Sequence, residues 1–204
     1  PIGTNNVALG DTALDSVEAS GIDNTAIGSN AGTAINSGDR NTAVGSYALD
    51  AEDDGDFNTA IGYQALQDLT SGQNSVAVGY RALADLTTGD RNTSVGYAAL
   101  DAITTGNDNT ALGWAAGGST SNTTGTNNTF IGSSAGNQII NKNDNTFVGY
   151  RAGETNRAGG SSTIIGSHAG YSPQGAQYSG SNNLFAKKYG DLIFYLCEWH
   201  YFLK

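Results

Sequence analysis

The chain has 204 residues, a net charge of −10, only nine Lys and Arg, two Pro, no Met and one Cys. Its basic residues are scattered, which excludes the clustered cations that phosphate-backbone binding needs. Twenty-nine glycines beside abundant Asn, Thr and Ser, with so little proline, exclude collagen and a Pro-rich linker, and a lone cysteine excludes an internal disulfide.

In chain order, Pro1 opens the sequence without a methionine or an apolar leader, so either a removed leader or a longer parent chain is expected. A nonapeptide then recurs ten times. It runs from NVALGDTAL at Asn6 through NTAIGSNAG (Asn24), NTAVGSYAL (Asn41), NTAIGYQAL (Asn58), SVAVGYRAL (Ser75) and NTSVGYAAL (Asn92). NTALGWAAG (Asn109), NTFIGSSAG (Asn128), NTFVGYRAG (Asn145) and STIIGSHAG (Ser162) follow. The glycine after the aliphatic residue falls at Gly10, Gly28, Gly45, Gly62, Gly79, Gly96, Gly113, Gly132, Gly149 and Gly166, mostly 17 residues apart. NNLFAKKYG at Asn182 reads as a degenerate eleventh copy, with Ala186 in the glycine slot.

A fixed short period marks a stacked-repeat architecture. Asn, Thr, Gly and β-branched residues are poor helix formers, so each unit reads as one coil of a β-solenoid. The expected coil is a strand NTAVG, a glycine corner, a second short strand such as YxAL, and a polar return loop rich in turn residues. The fold class is all-β: a parallel β-roll (β-solenoid) of ten to eleven 17-residue coils with an apolar C-terminal segment, on the order of 50 Å long. Residues 1–170 form the repeat rod. Residues 171–204 hold the degenerate coil and the apolar DLIFYLCEWHYFLK, a cap on its own last coil or a connector to the next molecule.

Side chains alternate along a strand, so Thr and Val share one face and Ala and Gly the other. Val76 in a Thr slot points to the Thr/Val face as the inward one. Copies three to six end in Leu49, Leu66, Leu83 and Leu100; later copies end in Gly117, Gly136, Gly153 and Gly170, while Ala gives way to Phe130, Phe147 and Ile164. The exchange reads as conserved core volume, with Trp114 filling the seventh coil. Gly32 beside Ala26 breaks that rule.

These SVAIG-like strands with a glycine turn and trailing Ala resemble the head repeats of YadA-like trimeric autotransporter adhesins. With their TTGxxN return loops they also resemble the β-roll repeats of bacteriophage tail fibres. The resemblance covers residues 3 to 170. It implies a left-handed roll, a homotrimer and an extracellular setting on a cell surface, virion fibre or free filament. The return loops are longer than the adhesin repeat, which is a departure from that pattern.

Little in the chain suits catalysis. His168 occupies a slot filled elsewhere by Tyr47, Gln64 and Arg151, and Cys197 lies in an apolar stretch that also holds His200. The acidic run places Asp50, Glu52, Asp54 and Gly55 as in the start of an EF-hand loop, but Ile61 stands where the bidentate Glu belongs. A solvated loop is the plainer reading and Ca2+ the lesser one; no other cofactor is expected. A stripe of Tyr47, Tyr63, Tyr80, Tyr97, Trp114 and Tyr150 is the candidate glycan- or partner-binding feature. Sequons stand at Asn92, Asn122 and Asn127.

The expected function is a non-enzymatic extracellular fibre that projects and attaches to surfaces. It self-associates as a trimer or a head-to-tail filament and can meet a cell-surface glycan or protein receptor. No nucleic acid partner and no membrane span are expected. An ice-binding β-solenoid, from the Thr ladder, is the alternative, and a polysaccharide-active β-helix enzyme a further one.

Overall fold

The computed structural model describes residues 4–15, 21–51, 54–118, 123–139, 141–154, 160–170, 183–188 and 191–196. Ten three-residue strands lie in chain order: β1 (Val7–Leu9), β2 (Thr25–Ile27), β3 (Thr42–Val44), β4 (Thr59–Ile61), β5 (Val76–Val78), β6 (Thr93–Val95), β7 (Thr110–Leu112), β8 (Thr129–Ile131), β9 (Thr146–Val148) and β10 (Thr163–Ile165). Each pairs in parallel with the next, so one strand per repeat builds a β-solenoid. Equivalent residues align: Thr42 pairs with Thr59, and Thr59 with Val76.

The expected second strand does not form. That segment is a turn in which alternate residues take positive φ, such as Gln64 at 56° and Leu66 at 50°. A left-handed residue costs about 1–2 kcal/mol. Bonds between coils offset it: the Gln64 N–H donates to the Ser46 carbonyl at 3.1 Å and the Leu66 N–H to the Ala82 carbonyl at 3.0 Å. The corner glycines do stack on one line. Gly79 has φ 135°, and a β-carbon there would collide with the Gly96 carbonyl above it.

The expected inward face is reversed. Ala26, Ala43, Ala60 and Ala77 are fully buried, as are Asn24 and Asn58, while the Thr and aliphatic strand residues face outward. The reason lies in the asparagines. Asn58 Oδ1 accepts the Ser75 N–H at 3.0 Å and its Nδ2 donates to the Gly72 carbonyl at 2.8 Å. Asn24 and Asn41 bridge to the next coil in the same way. A buried polar side chain with both ends bonded carries no desolvation penalty to drive it out. The thin interior then takes two alanines plus Leu66 and Leu69 in the fourth coil.

The volume exchange holds, with one correction. A β-carbon on Gly117 would lie 2.5 Å from Phe130 Cδ2, so the eighth coil's phenylalanine fills the seventh coil. Trp114 does not fill it; that ring is 56% exposed. The exception at Gly32 is explained by Ile35, whose Cδ1 would lie 2.9 Å from a β-carbon there.

β11 (Asn183–Lys188) continues the parallel stack, and β12 (Asp191–Leu196) returns antiparallel to it as the outermost strand. Ala186 pairs with Ile165, so Lys187, and not Ala186, occupies the glycine position. The first half of the apolar segment therefore joins its own chain's sheet. Cys197, Glu198 and His200 lie outside the described residues.

Candidate functional site

Two surfaces of the rod stand out. The first is the aromatic row. The residue after each corner glycine points outward, and bonds between coils hold successive rungs in register. The Arg81 N–H donates to the Tyr63 carbonyl at 2.9 Å, the Ala98 N–H to Tyr80 at 2.8 Å and the Ala115 N–H to Tyr97 at 2.8 Å. Tyr63, Tyr80, Tyr97 and Trp114 form one continuous stack, with ring centroids 5.5, 4.9 and 6.1 Å apart and planes within 11°. Each such contact contributes about 0.5–1.5 kcal/mol. The rings cover one another's faces and leave their edges to solvent.

Two members of the predicted stripe stand apart. Tyr47 sits one residue further past its glycine, where Ser46 holds the row position, and meets Tyr63 edge-on at 6.1 Å and 77°. Tyr150 lies in the row but is separated from Trp114 by the Ser133 rung. It packs edge-on against His168 at 5.0 Å. His168 itself is half-buried, and its Nδ1 lies 3.0 Å from the Ser167 hydroxyl.

The second surface is the outer face of the strands. Thr25, Thr42, Thr59, Thr93, Thr110, Thr129, Thr146 and Thr163 form one rank along the rod, interrupted by Val76. Two residues on, an unbroken aliphatic rank includes Ile27, Ile61, Leu112, Ile131 and Ile165, all 38–49% exposed. Sequence reasoning missed this surface because it placed the face indoors.

One ion-pair cluster lies beside the aromatic row. Arg81 Nη2 lies 3.4 Å from Asp85 Oδ1 and 3.0 Å from Asp101 Oδ1. Burial, and then the Asp101 charge, push the Asp85 carboxyl above its ordinary value, against the pull of Arg81. The Asp101 hydrogen bond raises the Arg81 guanidinium. Arg81 thus ties two neighbouring acids into an ion-pair cluster, an arrangement that serves structure more directly than proton transfer. On the return loops Arg91 forks onto Asp108 at 2.7 and 3.0 Å, which holds that carboxyl below its ordinary value.

Of the acidic run, Glu52 lies outside the described residues, and Ile61 is an outward residue of β4. Among the described residues no three His, Cys, Asp or Glu side chains converge as metal ligands. Asn92 is fully buried with its Nδ2 donating to the Gly106 carbonyl at 2.8 Å, so folded protein cannot be modified there. Asn127 is exposed, and Asn122 lies outside the described residues. A cavity of about 10 Å³ beside Leu100, Gly117 and Phe130 has room for about one water. Among the described residues no helix is long and apolar enough to cross a membrane. Comparison with protein-family models, curated proteins and solved structures finds no match for this chain.

Proposed function

We propose that this chain is a non-enzymatic, extracellular fibre segment of the adhesin-head or tail-fibre type, which self-associates side by side and displays its aromatic row to a surface. The observation that carries the reading is the outer strand face. An aliphatic rank running the length of the rod is the kind of contiguous exposed apolar surface that marks an interaction site. Its regular rungs suit an identical neighbour, because a closed symmetric assembly repeats one contact along the whole length. The resemblance to trimeric head repeats supports three copies. The test is molar mass by light scattering at several concentrations. A trimer is expected, three times the 20.9 kDa chain, and Ile61→Asp with Val95→Asp should reduce it to monomer. A parent chain that is monomeric throughout defeats the proposal.

A second reading draws on the same face. Regularly spaced outward threonines on a flat sheet are a pattern suited to ordering water as ice. The outward Thr rank favours it, and the break at Val76 opposes it. Thermal hysteresis of the purified protein decides: a clear freezing-point gap lost in Thr59→Tyr supports ice binding, and its absence removes it. A face buried between copies cannot bind ice, so the two readings exclude each other.

A further inference from the structure

Trp114 stacks on Tyr97 through one face, and among the described residues no ring meets its other face. The next rung of the row carries Ser133, and the one beyond carries Tyr150, which is 50% exposed. Backbone bonds fix these rungs in one register. The Ser134 N–H donates to the Trp114 carbonyl at 2.8 Å, the Arg151 N–H to Ser133 at 2.9 Å and the His168 N–H to Tyr150 at 2.8 Å. The aromatic row therefore has a notch one residue wide, two rungs or about 10 Å from Trp114 to Tyr150.

We propose that this notch takes one pyranose ring of a neutral glycan whose hydroxyls are all equatorial, a β-glucose-type unit, stacked on the free face of Trp114. The proposal deepens the adhesive reading and rests on the aromatic row being a display surface. The spacing argues for a sugar over a flat ring. Rings in this row repeat at 4.9–6.1 Å, wider than the roughly 3.5–4.0 Å at which carbons touch. A pyranose chair is thicker than an aromatic ring because axial hydrogens stand off both faces. A sugar ring stacked on Trp114 must present apolar hydrogens to that face, and an axial hydroxyl turned toward it would be desolvated without a partner. The equatorial hydroxyls point sideways, where water and the rung's own Ser133 can meet them. The net charge of −10 disfavours an anionic saccharide.

The test uses the full chain with Trp199→Phe, so that tryptophan emission comes from Trp114 alone, and cellotetraose as the probe. A saturable change in emission is expected. Affinity should fall at least tenfold when Ser133→Tyr fills the notch, and at least tenfold when mannotetraose, with its axial hydroxyls, replaces cellotetraose. Saturation transfer from the unaltered chain to the axial hydrogens of cellotetraose gives a second readout that does not depend on the Trp199 substitution. No saturable response in either measurement, a response that survives Ser133→Tyr, or an equal response to mannotetraose overturns the proposal. Molar mass is read on the same samples and should not change. If Ser133→Tyr alters the mass, a neighbouring copy fills the notch and the proposal fails, whereas failure of the fibre reading appears separately as a monomeric parent chain.

Discussion

Phe130 lies directly over Gly136: a β-carbon on that glycine would be 2.5 Å from both Cδ1 and Cε1 of the ring. In the fourth coil the same pair of positions holds Ala60 and Leu66, both fully buried. One interior volume is thus filled from the strand in one half of the rod and from the turn in the other.

Phe130→Ala should destabilise the protein by about 3–5 kcal/mol, because it empties space above both Gly117 and Gly136. Adding Gly136→Leu should recover at least 1 kcal/mol, since it rebuilds the pattern of the fourth coil. Gly136→Leu alone should be destabilising through overlap with the ring. A double-mutant cycle by urea denaturation measures the coupling, and additive effects would contradict the shared volume.

Asn58→Ala removes the partners of the Ser75 N–H and the Gly72 carbonyl at once. Leaving buried groups unpaired costs about 1–3 kcal/mol for each loss. Ser75→Asn should act in the opposite direction, replacing the long 3.2 Å bond from the Asn92 N–H with the asparagine geometry of the neighbouring coils. Melting temperature reports both, down for the first and level or up for the second.

Gly79→Val should cost at least about 1–3 kcal/mol, for the backbone strain alone, with the collision against Gly96 added to it. Gln64, at φ 56°, is the informative control. Gln64→Gly relieves a left-handed residue and should leave the melting temperature unchanged or slightly higher, although it sits only two residues past a corner glycine.

Asp85 carries a pH signature. Its folded-state carboxyl titrates above the ordinary 3.8, chiefly through burial and then through Asp101. Above that folded value the ionised group opposes folding. As the pH falls through it, the folded state takes up the proton first and gains stability, until the unfolded chain also protonates. Asp85→Asn should therefore raise the melting temperature at neutral pH and lose this advantage below pH 3.8. An advantage that persists in acid would assign the effect to packing.

Periodicity in the sequence was enough to determine a parallel solenoid with one coil per copy, a line of corner glycines and insertions confined to the return loops, but not that each coil keeps one strand where two were expected. Those features follow from chain spacing and glycine's backbone freedom, which belong to a single repeat. The exchange of Leu66-type for Phe130-type filling was legible for the same reason, as each copy shows both positions. The direction of the strand faces was not. Alternation gives two phases of equal merit, and the choice falls to Asn41 and its equivalents, whose side chains bond backbone groups of the next coil. The same holds for Gly117, filled by a ring from the following coil, and for the Ser133 notch, which exists only once the coils bring the Trp114 and Tyr150 rungs to either side of it. Relations between coils are set by stacking, and only the tertiary structure brings residues a full period apart into contact.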